Sequence, residues 1–335
     1  MFALFRSLLF RLGPETAHRL TLHAIRMAGN FPLSNWLLTQ LYKTPSKPVQ
    51  AFGLTFKNPV GLAAGYDKDA VAITGLAALG FGHLEVGTVT PKPQPGNAHP
   101  RLFRLLEDEA VINRMGFPSK GMQYVSDQLS VSSGQLPVVL GVNLGKNKET
   151  PLENAAEDYV SLMKTFATLA NYLTINISSP NTVGLRRLQG REMLENLLAP
   201  INLERETWNV KLPTLVKISP DLTDEELDDA IGVILDKNMD GIIATNTTLA
   251  RDGLRSKYQG ETGGLSGSPL RARSEAVLRQ VIKLVNGKIP IVSVGGIMNP
   301  DDAKRRLDLG ATLIQLYAGL VYEGPGLIKK ILLDL

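Results

Sequence analysis

Residues 214–248 read TLVKISPDLTDEELDDAIGVILDKNMDGIIATNTT. The stretch opens on an apolar run, Thr214 to Pro220, passes through a helical segment from Asp224 to Lys237, and returns to a second apolar run, Gly241 to Thr248. Both runs are nearly continuous in apolar residues, the pattern of parallel strands covered on both faces. Thr223 followed by Glu226 is a capping signature, so Asp224-Glu225-Glu226 reads as a helix start and not as a carboxylate pair for catalysis.

The same alternation runs in both directions. Further strands are predicted over Val60 to Gly65, His83 to Thr90, Val138 to Gly145, Tyr172 to Ser179, Ile289 to Ile297 and Thr312 to Leu320. Helices are predicted over Ala70 to Leu79, Asn154 to Leu169, Arg271 to Asn286 and Pro300 to Leu309. Eight strands alternating with helices predict an α/β fold, a TIM (β/α)8 barrel; a doubly wound sheet has fewer strands and a glycine fingerprint after the first. Two insertions break the rhythm: Pro91 to Phe117, Pro-rich and then hairpin-like, and the Gly-rich Asp252 to Ser268. Both follow carboxyl ends of strands, where such barrels build their sites.

Ahead of the barrel, Leu4, Phe5, Leu8, Leu9 and Leu12, then Ala17, Leu20, Ala24 and Met27, recur at helical spacing on either side of Gly13-Pro14. Pro32, Pro45 and Pro48 read as a connection, which predicts a helical cap over residues 1–45 and a barrel over 46–335. Residues 1–50 hold six Lys/Arg against Glu15 alone, a net +5; the whole chain is +4, so the rest sums to −1. A basic patch confined to an apolar segment suits an anionic membrane surface, and the absence of basic runs elsewhere argues against nucleic acid. No apolar run reaches the roughly 18–20 residues that cross a bilayer. Arg6, Arg11 and Gly13-Pro14 interrupt the segment, so it is expected to stay on the protein as no signal peptide would.

The chain has no cysteine, which excludes disulfides, thiolate metal sites and a cysteine nucleophile. Its four histidines lack ligand spacing, so no metal is expected. The strand ends carry the chemistry: Ala63-Ala64-Gly65 with Lys68, Gly87-Thr88, Asn143 with Lys146, Asn176 to Asn181, Lys217, and Thr245 to Thr248. Small polar groups converging on one rim imply a planar, hydrogen-bonding ligand near the barrel axis, although turn and cap chemistry explains about half of the Ser, Thr and Asn taken singly. Lys217, inside an apolar strand, should meet an anion or an electron-rich ring; a salt bridge across the barrel, with Asp67 as partner, is the alternative. Gly295-Gly296, Tyr317-Ala318-Gly319 and Gly263-Gly264-Leu265-Ser266-Gly267 favour a phosphate-bearing cofactor. Gly141 to Lys146 only imitates a nucleotide loop, one residue short and lacking Ser or Thr after the lysine. Taken singly, His18 and His23 are packing or solvated histidines.

Together these segments resemble the dihydroorotate dehydrogenases from about Leu12 to Ile328. The most specific stretches are Lys57 to Gly65, Gly87 to Pro91, Pro100 to Arg104, Asn113 to Phe117, Asn176 to Thr182 and Ala244 to Thr248. The resemblance implies FMN, with its ring against Ala64, Gly65, Thr88, Asn143, Asn176, Lys217 and Thr245, and its phosphate at Gly267, Gly296, Tyr317 and Ala318. It implies dihydroorotate, the substrate, or orotate, the product, against Lys68, Asn113, Arg114, Met115, Gly116, Phe117, Asn176, Asn181, Asn246 and Thr247. The family divides by its base: where the soluble class has Cys, this chain has Ser179. That and the N-terminal helices match the class that reduces a membrane quinone, with His18 and Arg104 near the quinone head group and no iron–sulfur partner subunit.

The implied reaction is oxidation of (S)-dihydroorotate to orotate in pyrimidine biosynthesis, by a peripheral protein on the cytoplasmic side of the inner membrane. Two departures stand out: Ala318 where the family usually has Ser or Thr, and Tyr66 where it has an aliphatic residue or Phe. Rival readings are another FMN barrel acting on dihydrouridine or dihydropyrimidines, against which the missing basic RNA surface counts, and a silent membrane scaffold, against which the intact Ser179, Lys68 and asparagines count.

Overall fold

The computed structural model describes residues 2–132, 138–208 and 211–335, with residues 2–4 and 132 described by backbone alone, so the Leu4 position of the first apolar stripe lies outside the described side chains. Three helices open the chain, α1 (Phe2–Leu9), α2 (Pro14–Asn30) and α3 (Pro32–Leu41), followed by a hairpin of β1 (Val49–Ala51) and β2 (Leu54–Phe56). The barrel then runs through β3 (Val60–Leu62), α4 (Ile73–Ala78) and β4 (His83–Val89). An excursion of β5 (Leu102–Leu105) and β6 (Ala110–Asn113) precedes α5 (Met122–Ser132) and β7 (Val139–Leu144). Next come α6 (Ala155–Phe166), β8 (Tyr172–Asn176), α7 (Arg191–Glu206), β9 (Thr214–Ile218), α8 (Asp224–Asp236) and β10 (Gly241–Ala244). A second excursion ends in β11 (Gly264–Gly267), and α9 (Arg271–Val285), β12 (Ile291–Val294), α10 (Pro300–Asp308), β13 (Leu313–Leu316), α11 (Ala318–Glu323) and α12 (Gly326–Asp334) complete the chain.

β3, β4, β7, β8, β9, β10, β12 and β13 pair in parallel in that order and close on themselves, a TIM barrel. All eight expected strands are present, and each stops short of its apolar run at the carboxyl end. The run from Thr312 is cut most sharply, because Ala318 already begins α11. The overhanging residues leave the ladder because their polar side chains find partners across the mouth, or because a glycine turns the backbone, as Gly65 does at φ +100° and Gly295 at φ +115°. Before α8, Thr223 Oγ1 accepts from the Glu226 amide at 3.2 Å and Glu226 accepts from the Thr223 amide at 2.9 Å, the reciprocal cap expected there.

The barrel base is closed by an aromatic plug. Phe56 of the hairpin is fully buried and meets the ring of His83 edge-on at 5.4 Å. His83 lies where a side chain at Gly61 would be, and Tyr172 where one at Gly141 would be, with distances of 2.0 and 2.1 Å to a hypothetical Cβ. Two strand glycines thereby make room for rings in a narrow interior. Removing the Phe56 ring would cost about 3–5 kcal/mol.

The expected connection at Pro32 is a helix instead. Pro32 is the first residue of α3, a position where its missing N–H costs nothing. α2 lies on α4 with backbones in near contact: a Cβ at Gly29 would fall 2.4 Å from the amide nitrogen of Gly75. The two excursions combine into one antiparallel sheet, β5-β6-β11, over a small core of Phe103, Leu105, Ile112, Leu254 and Leu265.

Candidate active site

Interior side chains change character along each strand. Leu215, Ile243 and Leu313 pack near the base; two residues on, on the same face, stand Lys217, Thr245 and Gln315. The change opens a cavity at the carboxyl ends of the strands, about 1010 Å³ including its open mouth.

Of the residues expected at a cofactor, Ala64, Gly65, Thr88, Asn176, Lys217, Thr245, Gly267, Gly296, Tyr317 and Ala318 line this cavity. Asn143 does not; it is buried behind Thr88, accepting from the Thr88 hydroxyl at 2.6 Å and from Asn176 Nδ2 at 2.9 Å. At the glycine-rich wall, Gly296 adopts φ +70°, and a side chain there would meet the Arg271 backbone at 2.4 Å. Lys217 is buried, which pushes its ammonium below the usual lysine range, and Glu85 is the carboxylate that opposes this shift. The pair is not in contact. Asp67 is no competitor for Lys217, because its two oxygens accept from the Val71 and Ala72 amides at 2.9 and 2.8 Å.

Of the residues expected at a substrate, Lys68, Asn113, Met115, Gly116, Phe117, Asn181, Asn246 and Thr247 line the same cavity, with Ser179 among them. Ser179 is buried, and its Oγ accepts from the Asn181 amide at 3.2 Å. Asn181 Nδ2 donates to Asn113 Oδ1 at 3.0 Å, tying the end of β8 to the end of β6. Burial at the mouth lowers the Lys68 pKa to about 8, and its Nζ donates to the Gly65 carbonyl at 2.5 Å. Two expectations are corrected. Arg114 points away from the cavity, lying over the Phe103 ring and pairing with Glu261 at 2.6 Å, so it ties the second excursion to the first. Lys146 is spent on the carbonyls of Asn147 and Thr150.

A second cavity, about 1250 Å³ with its open side included, lies between α1, α2 and the barrel. Its walls are mostly apolar, with Leu9, Phe10, Leu20, Ile25 and Val321; His18 and Arg104 are its nitrogen-bearing polar side chains, and Thr21 and three tyrosines add hydroxyls. Burial, followed by the nearby charge of Lys68, holds the His18 pKa down at about 3, so its imidazole is neutral at ordinary pH. The Arg104 guanidinium lies 4.1 Å above the Phe10 ring and donates to the Phe10 carbonyl at 3.2 Å. Tyr317 belongs to both cavities. His18, Tyr66 and Tyr317 stand edge to face in a row, with centroids 5.0 and 6.2 Å apart, across the partition. Tyr66 is therefore part of the wall between the two sites.

Glu85 and Gln315 were not anticipated. Glu85 is a lone carboxylate in the apolar run His83 to Thr90, and the reasoning that singled out Lys217 applies to it equally.

The dihydroorotate dehydrogenase family model matches residues 47–335. The chain is 49% identical over 333 residues to a dihydroorotate dehydrogenase (quinone) of Roseiflexus sp. (strain RS-1), covering 99% of this chain and 92% of that protein. It is 48% identical to the protein of the same name from Idiomarina loihiensis, covering 99% of each. Among solved structures it is similar to the dihydroorotate dehydrogenase of Eimeria tenella in complex with ferulenol, at TM-score 0.88 and 40% identity over 96% of this chain and 90% of that one. These quinone relatives match the N-terminal helices as well as the barrel. The chain belongs to the dihydroorotate dehydrogenase family and is an oxidoreductase of its quinone-dependent class.

Proposed function

We propose that the barrel cavity holds FMN and dihydroorotate, and that a membrane quinone reaches the flavin from the cavity beneath α2. The observation that carries this reading is the pair of cavities, one polar and one apolar, separated only by the Tyr66 and Tyr317 rings. The residues present fit FMN: a buried ammonium at Lys217, a glycine cradle at Gly295-Gly296 that a side chain would fill, and a buried Gln315 Oε1 with no partner. Lys217, Thr88, Thr245 and Asn176 would hold its ring, and Gly267, Gly296, Tyr317 and Ala318 its phosphate. When bound, FMN supplies a two-electron acceptor that takes hydride from C6 of dihydroorotate and is reoxidised by quinone.

Ser179 Oγ removes the proton from C5. A hydroxyl is a weak base, so it depends on a dry site, and the β5-β6-β11 sheet with the Asn113–Asn181 bond supplies that cover. Lys68 holds the substrate carboxylate, while Asn113, Asn181, Asn246 and Thr247 meet the amides of the ring. Arg104 offers donors to a quinone carbonyl, beside the neutral imidazole of His18.

Residues 1–45 form the cap that meets the membrane. Among the described residues, ten of the sixteen exposed large hydrophobic side chains fall between Phe5 and Leu41, including Leu33, Trp36 and Leu41, and Arg11, Arg19 and Arg26 are exposed on the same segment. No described helix is long and apolar enough to cross a bilayer; the exposed arginines and apolar side chains suit the surface of an anionic leaflet, and we place that contact on the cytoplasmic side. Under anaerobic conditions dihydroorotate should bleach the flavin band, and a lipophilic quinone should restore it faster than fumarate or NAD. Equal reoxidation by all three would overturn the quinone assignment.

A further inference from the structure

Beneath the barrel cavity, Glu85 is 1% exposed and accepts from four side chains. Asn143 Nδ2 lies 2.7 Å from one oxygen; Gln315 Nε2, the Tyr172 hydroxyl and the Thr174 hydroxyl lie 2.9, 3.2 and 3.3 Å from the other. A carboxylate only accepts, so both amides must turn their NH2 groups toward it. Asn143 then presents Oδ1 upward, which obliges Asn176 to answer with Nδ2, at 2.9 Å. Asn176 Oδ1 in turn accepts from the Ser178 hydroxyl at 3.0 Å and faces Asn246 Nδ2 at 3.4 Å, leaving Asn246 Oδ1 to accept from the Thr247 amide at 2.8 Å. On the other side, Gln315 Nε2 is spent on Glu85, so its Oε1 is left without a partner at the cavity floor.

We propose that Glu85 is a positioning residue that dictates which way the Asn143 and Gln315 amides point, and through Asn143 supports the orientation of Asn176, and that its charge, opposed to that of Lys217, sets the affinity of the site for reduced relative to oxidised flavin. The proposal rests on the reading of this cavity as the site of FMN and dihydroorotate. Among the described residues no other acceptor-only group meets the series at its base; higher up, the Ser178 and Thr247 backbone N–H groups donate to Asn176 Oδ1 and Asn246 Oδ1 and hold those two amides in the same sense. The bare Gln315 Oε1 is the site's fixed acceptor for a donor of the bound cofactor.

Glu85→Gln tests both parts. A glutamine can accept on one atom only, so Asn143 or Gln315 must invert. With FMN retained, the dissociation constant for orotate, read from its perturbation of the flavin spectrum, should rise roughly tenfold. Loss of the negative charge should favour the reduced cofactor about tenfold, raising the midpoint potential by about 30 mV. A loosened wall alone would weaken orotate without raising the potential. If E85Q does not fold because Lys217 is left unopposed, the double variant with Lys217→Met is compared with Lys217→Met alone, where the orotate effect should persist. FMN-loaded E85Q with unchanged potential and unchanged orotate affinity overturns the proposal by itself. An unmodified protein that neither binds FMN nor is bleached by dihydroorotate overturns the reading beneath it as well.

Discussion

The cavity at the barrel mouth and the cavity under α2 share Tyr317 and are otherwise built on opposite principles. The first is walled by backbone ends and short polar side chains whose positions are set by eight hydrogen-bonded strands, and its amides are fixed down to the donor. The second is walled by apolar side chains of helices that touch the barrel through packing, with Gly75 set tightly against Ile25 and Gly29 of α2. A site that must hold a polar ring in one pose needs rigid, satisfied groups. One that admits a long apolar molecule needs volume, and a few polar side chains such as His18 and Arg104 suffice for a head group. On the proposed reading, the partition of aromatic rings separates the substrate side from the side of the lipid-soluble acceptor.

The comparison breaks most visibly at Ser179. Ser179→Ala should retain FMN and slow dihydroorotate oxidation about 10²–10⁴-fold, with reoxidation by quinone unchanged when the flavin is reduced chemically. Stopped-flow rates of the two half-reactions check it, and near-normal oxidation would show that the base is elsewhere.

The reverse separation comes from Gly75→Leu, whose Cβ would stand 2.1 Å from the Ile25 carbonyl and push α2 off α4. KM for a lipophilic quinone should rise roughly tenfold while KM for dihydroorotate moves less than about twofold. Equal changes in both would mean that the two cavities are not independent.

A pH series sharpens the polar side. Lys68 is charged below its lowered pKa of about 8 and loses its charge above it. KM for dihydroorotate should therefore rise several-fold, at most about tenfold per pH unit, as pH passes above 8. Lys68→Arg should flatten that rise, and a profile identical in both proteins would remove Lys68 from the carboxylate.

The smallest effect is expected at Tyr66, whose hydroxyl lies 3.5 Å from Thr21 Oγ1, a weak bond at best. Tyr66→Phe keeps the ring in the partition and should alter either half-reaction by no more than about twofold. A large loss confined to quinone reoxidation would show that the hydroxyl, and not the ring, is the working part of the wall.

Much of the polar cavity was legible because strand ends are local: an apolar run followed by Asn, Ser, Thr or Gly announces both the strand and its mouth, as at Asn176 to Asn181 and Ala244 to Thr248. The misreadings were cations whose acceptor is set by how the chain folds at the rim, whether that acceptor is distant or a neighbouring carbonyl. Arg114 is claimed by Glu261, and Lys146 by the Thr150 carbonyl; a cation near a rim does not disclose which acceptor it will find. α3 was missed because Pro32 serves equally to end a helix and to begin one.

Periodicity and composition alone determined the eight strands in order, the helical segment ahead of them and the absence of thiol chemistry, because each depends on neighbours within a few residues or on a residue type that is missing. The tertiary structure decided that Glu85, Asn143 and Gln315, more than 50 residues apart in sequence at the nearest, meet beneath one cavity and orient its amides. That follows from closure of the barrel, which brings β13 beside β3 and turns three buried polar side chains toward one axis, where their partners come from other strands.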